Sequence, residues 1–449
     1  MANPKHNRSL KAFSAASTTV LLSLLVLSTY TLKELRPSLE QIVQQNVKRD
    51  MLRFASSPFF KKVQQCSTSY FQEVLPQGFA LQTHTVTTQD GYILSLYRIQ
   101  KGPTFQTGLP VVFLQHGIND SGQCWFENSE SLALGSMLVN AGFDVFVGNS
   151  RGSKFSRSHK SLDPQKTTFW EFSFMQMGQY DVPANLEAIR TITGVNKVAY
   201  VGHSQGTTQL FAALSDPVTR PFVAPYLTSF HALAPVVYFK NNEVPIINLV
   251  KWIEDEIQKV VNKFGINYFE LGSCVFDEKT IEKWDKRCGR TPLLCYDKLF
   301  FSDKYMNPIN WKHFGYKVEF SPAGTSTDSL LHYAQLLKGP KDIPVFQKFD
   351  YGSAKLNIDH YGQDKPPAYD LSLIQEKVRL WHGTGDRFAD LKDVALLEKA
   401  LVNAQLETHL IDRWGHIAFI MAKNANEIYG QLVQELIQET KEQTFDGNF

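Results

Sequence analysis

The feature that most constrains the fold is a sharp turn between an apolar run and a helix-like segment. Residues 202–206 read Gly-His-Ser-Gln-Gly, after the apolar run Val198–Val201 and before a helical pattern at Thr207–Leu214. A strand that turns so tightly into a helix holds the central side chain on a strained backbone, and the flanking glycines avoid clashes with the neighbouring strand and helix. The pattern predicts that Ser204 is an exposed nucleophile.

The rest of the chain alternates between short apolar runs and helix-like segments. A β-rich lead-in covers Thr83–Ile99, with a turn at Asp90-Gly91. The alternation that follows is typical of a mainly parallel sheet covered on both faces by helices, which makes the predicted class α/β. The predicted strands are Val111–Leu114, Phe143–Val147, Val198–Val201, His231–Phe239, Val378–Trp381 and Thr408–Ile411, and the predicted helices are Glu130–Asn140, Asp181–Ile192, Thr207–Leu214, Lys392–Leu401 and Asn424–Gln438.

A serine nucleophile needs a base, and the base needs a carboxylate that fixes its tautomer. On this kind of sheet the chain order is serine, acid, histidine. Asp386 follows the predicted strand that ends at Trp381, and His416 follows the next one. Asp390 is an alternative acid, although it lies on the way into a helix. His416 competes with His203 and His382, which we interpret as packing or supporting residues, and with His231, His332 and His360.

The reaction also needs amide donors for the oxyanion of the tetrahedral intermediate. One donor should be the amide of Gln205, directly after the nucleophile, and the other should come from the loop after Val111–Leu114. That loop reads His116-Gly117-Ile118, and Ile118 is the predicted donor.

These motifs together resemble the acid lipase family, which has the α/β-hydrolase fold and includes gastric lipase, lysosomal acid lipase and sterol ester hydrolases. The similarity runs from about Phe71 to the carboxyl terminus. It implies the triad Ser204, Asp386 and His416, an oxyanion hole at Ile118 and Gln205, no metal or organic cofactor, and triacylglycerols or sterol esters as substrates. The motifs are Leu114–Gly117, Gly148–Gly152, Gly202–Thr208, Pro322–Ser326, and Gly385-Asp386 with Asp390.

The amino terminus has the layout of a targeting segment. Lys5, Arg8 and Lys11 precede the uncharged stretch Ala12–Leu32, which suits a cleaved signal peptide or a retained membrane anchor. Both interpretations predict that the enzyme enters the secretory pathway. It would then be secreted, lysosomal or membrane-anchored, with its catalytic domain lumenal or extracellular.

A segment near the middle does not alternate as the core does and is a predicted cap or lid. Pro245 begins a helical pattern, and many aromatic residues follow it. These apolar and aromatic residues form either the cap's own core or a lid that opens onto lipid, and one segment can serve both purposes. The predicted division is a signal peptide or anchor at 1–33, a linker at 34–70, the hydrolase core at 71–239 and 321–449, and the cap at 240–320.

Composition narrows the partners. The formal net charge is +2, and neither sign forms a block, which argues against a nucleic acid partner. The five cysteines include no Cys-x-x-Cys pair, and one disulfide is expected among the last three, with Cys288 and Cys295 as the candidate pair. Asn119 begins a glycosylation sequon beside the predicted site. This chain departs from the family pattern in the spacing of those two cysteines and in its extended region before Cys66.

Three functions fit this sequence. The first is a lipase that acts on lipid esters at an oil–water or membrane interface. The second is an inactive hydrolase fold that binds lipid, and the third is an esterase for short soluble esters.

Overall fold

The computed structural model describes residues 70–244, 268–269, 278–292, 295, 302–337 and 345–446. The predicted signal peptide or anchor, almost all of the linker and the cap helix predicted from Pro245 lie outside these residues. In the part of the chain that is described, no helix combines the length and the apolar character needed to cross a membrane.

A mostly parallel sheet organises the described residues, with strands in the order β1-β2-β4-β3-β6-β7-β10-β11 and β5 paired to β2. The pairs β1–β2 and β2–β4 are antiparallel, and every pair from β4 to β11 is parallel. This confirms the predicted α/β class. The strands are β1 Phe79–Thr87, β2 Tyr92–Lys101, β3 Val111–Gln115, β4 Asp144–Gly148, β5 Ser158–His159, β6 Val198–His203, β7 Leu227–Leu233, β8 Tyr268–Phe269, β9 Thr325–Ser326, β10 Lys377–Gly383 and β11 Gln405–Ile411.

The helices connect these strands. They are α1 Tyr70–Val74, α2 Leu134–Asn140, α3 Phe174–Gln176, α4 Val182–Thr193, α5 Gln205–Ser215, α6 Glu278–Arg290, α7 Gly315–Phe320, α8 Thr327–Leu337, α9 Ala354–Tyr361, α10 Leu391–Ala400, α11 Ala418–Met421 and α12 Ala425–Asp446. A π-helical turn at Met177–Asp181 joins α3 to α4, and short 3-10 turns include Gly122–Trp125 and Trp311–His313.

Burial along the strands explains why the sequence forms this sheet. Every residue of β3, β4 and β6 is buried, as expected for central parallel strands covered on both faces. The edge strand β11 is mostly exposed. Because β6, β7 and β10 run parallel, their carboxyl ends lie on the same side of the sheet and lead into loops there. The candidate site lies among these loops.

Several predicted boundaries are wrong, among them the end of the last helix, which was predicted at Gln438 and lies at Asp446. The predicted strand His231–Phe239 corresponds to β7, which begins at Leu227 and ends at Leu233. It ends because Ala234 has a φ of 49° and Pro235 has no N–H for a ladder. The apolar run beyond it instead covers the start of α5, where the Thr208 hydroxyl donates to the Val236 carbonyl at 2.6 Å. The helix predicted from Glu130 begins only at Leu134, after a turn.

The described part of the predicted cap region contains α6, α7, the 3-10 turn Trp311–His313 and the short strand β8. Strand β8 pairs antiparallel with β9, which lies in the motif Pro322–Ser326. Cys288, in α6, forms a disulfide with Cys295, so the candidate pair is bonded. We call residues 302–326 the return segment; they comprise the last part of the predicted cap region and the first residues of the core that follows it.

Candidate active site

Ser204 lies on a strained turn between β6 and α5. Its φ is 53° and its ψ is −119°, a backbone region that side chains other than glycine rarely adopt. The flanking glycines are required by close packing, because a methyl group on Gly202 would lie 2.7 Å from the carbonyl carbon of Gly206. A methyl group on Gly206 would lie 2.3 Å from the Gln115 carbonyl oxygen. The serine is thus held at the carboxyl edge of the sheet.

The structure brings the three predicted triad side chains together. The Ser204 Oγ lies 2.7 Å from His416 Nε2, and His416 Nδ1 lies 2.9 Å from Asp386 Oδ2. All three residues are buried. Because the Asp386 carboxylate can only accept a hydrogen bond, His416 Nδ1 carries the proton and donates it. His416 Nε2 is then free to accept the serine proton.

Asp386 and Asp390 have different environments. Asp386 follows β10 and its Oδ1 also accepts the amides of Phe388 at 2.8 Å and Ala389 at 2.9 Å. The Asp390 carboxylate instead accepts the amide of Lys392 at 2.9 Å and caps α10. The alternative acid therefore has its carboxylate on a helix terminus and not on His416.

The competing histidines have other partners. His203 is the nearest, and its Nε2 donates to the His416 carbonyl at 3.0 Å, so it supports the triad histidine. Burial lowers the pKa of His203 well below its usual value, which keeps the ring neutral. The remaining histidines contact Glu439 (His231), Ser173 (His332), Tyr351 (His360) and the region of Glu398 (His382).

The peptide group between Gly117 and Ile118 is oriented by His116. The Ser150 amide donates to His116 Nε2 at 3.0 Å, so the proton is on Nδ1, which donates to the Gly117 carbonyl at 2.7 Å. That carbonyl also accepts the Asp120 amide at 3.3 Å. In a trans peptide the N–H points opposite to the C=O, so the Ile118 amide is directed away from these groups.

Both predicted oxyanion donors lie in the immediate neighbourhood of the serine. A methyl group on Gly117 would come 3.0 Å from Ser204 Cβ, which places the Ile118 loop against the nucleophile. Gln205 is the first residue of α5, where the amide has no intrahelical acceptor. Among the described residues, neither amide donates to a protein acceptor.

Aromatic side chains continue outward from the histidine. The Phe388 ring centroid lies 4.9 Å from that of His416, and Phe239 stacks on Phe388 at 6.0 Å. Tyr333 follows at 5.5 Å from Phe239. The surroundings on this side of the site are apolar.

Sequence reasoning missed Asp303, a buried carboxylate in the return segment. Its Oδ2 accepts the amide of Ile417, the residue after the triad histidine, at 3.1 Å. The Lys304 amide donates to the Gly385 carbonyl at 2.7 Å, so the same stretch also holds the loop of the triad acid. Burial, and then the charge of Asp386, raise the pKa of Asp303 to about 6.

One signal for Asp303 was present in the sequence. Gly415 precedes the triad histidine, and a methyl group there would lie 1.9 Å from the Asp303 Oδ1. A glycine at this position indicates a close neighbour but does not say which residue it is.

Among the described residues, no cluster of three or more His, Cys, Asp or Glu side chains could hold a metal ion.

Comparison with known proteins fits this geometry. The model of the partial alpha/beta-hydrolase lipase region matches residues 72–129, and that of the alpha/beta hydrolase fold matches residues 110–253. Gastric triacylglycerol lipase of Rattus norvegicus is 37% identical over 369 residues, covering 81% of this chain and 90% of the relative. Lysosomal acid lipase/cholesteryl ester hydrolase of Homo sapiens is 35% identical over 368 residues, covering 79% and 87%. The chain belongs to the acid lipase family of α/β-hydrolases, together with these gastric and lysosomal enzymes.

Proposed function

We propose that this protein is a lipase that hydrolyses apolar carboxylic esters, triacylglycerols or sterol esters, through an acyl-enzyme. The observation that carries the proposal is the continuous hydrogen-bonded series from Ser204 Oγ through His416 to Asp386, at 2.7 Å and 2.9 Å. A serine, a neutral imidazole and a buried carboxylate in this order are the groups that acyl transfer requires.

The reaction has two steps. The Ser204 oxygen attacks the ester carbonyl carbon while His416 takes the hydroxyl proton, and the carbonyl electrons move to the oxygen. The oxyanion accepts hydrogen bonds from the amides of Ile118 and Gln205. Collapse of the intermediate breaks the bond to the alcohol, which leaves with the proton from His416. Water, deprotonated by His416, then attacks the acyl carbon. The bond to Ser204 Oγ breaks, the serine oxygen takes the proton back from His416, and the carboxylic acid is released.

Two observations favour apolar substrates over short soluble esters. The aromatic series Phe388, Phe239 and Tyr333 extends from the base, which suits the burial of an acyl chain. The gastric relative is named a triacylglycerol lipase and the lysosomal relative is named a cholesteryl ester hydrolase.

A hydrolysis panel tests the proposal. Triolein, cholesteryl oleate and a short p-nitrophenyl ester are incubated with the wild type and with Ser204→Ala at acidic and neutral pH. We expect turnover of at least one long-chain ester, a steep rise in rate once the ester exceeds its solubility, and almost complete loss in the variant.

The outcomes separate three functions. Turnover of the short ester alone would identify an esterase. A protein that binds lipid vesicles, hydrolyses none of the three esters and does not react with a fluorophosphonate probe would be an inactive binding module.

We also propose that the catalytic domain is lumenal or extracellular, on the basis of the amino-terminal segment and the disulfide between Cys288 and Cys295. Translation with microsomes tests this. The chain should be protected from added protease, and pelleting after alkaline extraction would distinguish a retained anchor from a cleaved signal.

A further inference from the structure

The turn at Gly117–Asp120 carries the proposed oxyanion donor Ile118 and needs support on its outer side. Asn119 at its centre has a φ of 58°, which costs a non-glycine residue backbone energy. Its carbonyl and the neighbouring Asp120 carboxylate both have partners in the return segment, more than 190 residues later. The shape of the turn thus depends on that distant segment.

Lys317, in α7, is the first of these partners. Its ammonium group is 2% exposed and donates to Asp120 Oδ2, and Glu127 Oε2 lies 3.7 Å away. Burial alone would lower the pKa of Lys317, but the charges of Asp120 and Glu127 outweigh that effect and raise it. A buried lysine that remains charged is a strong constraint, because leaving its carboxylate partners unpaired would be unfavourable.

The motif Pro322–Ser326 provides the second contact. The Ala323 amide donates to the Asn119 carbonyl at 2.6 Å, and the Ala323 carbonyl accepts the Lys154 amide at 2.8 Å. Gly324 has a φ of 105°, and a methyl group there would overlap the Arg157 guanidinium. The motif therefore lies between the oxyanion turn and the Lys154–Arg157 loop and joins them.

We propose that the Lys317–Ala323 stretch holds the oxyanion turn in the position where Ile118 can donate, and that Lys317 is a positioning residue for transition-state stabilisation. The proposal rests on the proposed ester hydrolysis. The donor is then available only while α7 is docked on the core, so the carboxyl-terminal part of the predicted cap takes part in the chemistry through Asp120.

Lys317→Met tests the proposal, with Lys312→Met as the matched control. Lys312 is an exposed lysine in the 3-10 turn just before α7. We expect Lys317→Met to lower kcat by about 10- to 100-fold with KM changed by less than about 3-fold, because the lost interaction acts on the transition state. Inhibition by an alkyl trifluoromethyl ketone, whose adduct carries an oxyanion, should weaken by a factor similar to the loss in kcat/KM.

Hydrogen exchange provides a readout that does not need turnover. In the full chain, the amides of residues 117–121 should exchange faster in Lys317→Met than in the wild type or Lys312→Met. If Lys317→Met does not fold, the variant Lys317→Met/Asp120→Asn/Glu127→Gln removes the unpaired charges as well and should still show the loss of kcat and the faster exchange.

A folded variant with kcat, ketone inhibition and exchange within threefold of the Lys312→Met control would overturn the proposal. An equal loss of kcat and gain in KM, with unchanged exchange at 117–121, would also contradict it. If the wild type hydrolyses no ester, the proposed function fails, whereas faster exchange in the variant would still support the contact with the turn.

Discussion

At the scale of single residues, two aspartates four positions apart have carboxylates in different places. The Asp386 carboxylate accepts hydrogen bonds from His416 Nδ1 and from two backbone amides, whereas the Asp390 carboxylate caps a helix. Asp386 is 1% exposed, so its charge acts on the imidazole with little screening by water.

Asp386→Asn should lower kcat for a p-nitrophenyl ester by about ten-thousand-fold, because an amide favours the wrong imidazole tautomer. Asp390→Asn should leave kcat within about twofold, since asparagine also caps helices well. Initial rates of both variants check this. A greater loss in Asp390→Asn than in Asp386→Asn would contradict the assignment of the acid.

A second prediction at this scale concerns Asp328, at the start of α8. Burial, and then the charge of Glu171, raise the pKa of Asp328 from its usual 3.8 to about 7. The folded state therefore binds this proton more tightly than the unfolded state does. The contribution of Asp328 to the free energy of unfolding is therefore fully present below about pH 4, and it is lost as the pH rises from about 4 to 7.

Asp328→Asn should remove that dependence. Relative to the wild type, the variant should gain up to about 4 kcal/mol in the free energy of unfolding between pH 4 and pH 8. Urea unfolding at pH 4, 6 and 8 measures it. A difference between variant and wild type that is the same at all three pH values would show that Asp328 keeps an ordinary pKa.

At the scale of elements, two glycines within helical turns have opposite surroundings. A methyl group on Gly430, in α12, would meet no atom within 4 Å, whereas one on Gly178, in the π-helical turn, would lie 2.7 Å from the Gln209 carbonyl oxygen. Gly178 thus allows the turn to pack closely against α5.

Gly430→Ala should raise the free energy of unfolding by about 0.5–1 kcal/mol, because alanine loses less backbone entropy in a helix. Gly178→Ala should lower it by about 1–3 kcal/mol through overpacking. Thermal and urea unfolding of the pair measure both effects. Destabilisation by Gly430→Ala would indicate a neighbour at α12 that these contacts do not include.

The elements also show which parts of the fold follow from local sequence. The strands β3, β4 and β6 were predictable within two residues because each is a short, fully buried apolar run followed by glycine or a polar residue. Strand β7 was misplaced because the apolar run continues past Pro235 as a buried loop, and hydropathy alone does not distinguish a buried loop from a strand.

The residues of the site divide in the same way. The convergence of Ser204, His416 and Asp386 was predictable because the turn after β6 and the chain order constrain these residues. Asp303 and Lys317 were not, because their partners lie 114 and 197 residues away in the chain. No motif or chain-order rule pairs either residue with its partner.

At the scale of the whole molecule, Glu439 ties the carboxyl-terminal helix to β7 and β10, near the β11 edge of the sheet. Its carboxylate lies 3.1 Å from His231 Nε2 on β7 and 3.3 Å from the Arg379 guanidinium on β10. The carboxylate therefore links α12, β7 and β10, which are far apart in sequence.

Glu439→Gln should lower the free energy of unfolding by about 2–3 kcal/mol, because the buried cation Arg379 loses a counter-charge. The kcat at 25 °C should remain within twofold, since no triad contact changes. Glu435→Gln, one turn earlier and more exposed, should cost less than about 1 kcal/mol. Loss of kcat in a folded Glu439→Gln protein would indicate coupling between this helix and the triad.

The return segment has a consequence for protein engineering. Asp303 accepts the amide of the residue after His416, and Lys317 donates to Asp120 in the turn that carries Ile118, so both contacts come from within residues 240–320. A chimera that grafts this region from a relative would therefore replace both contacts. A graft that ends at residue 301, so that residues 302–320 stay native, would instead keep both contacts with their own core.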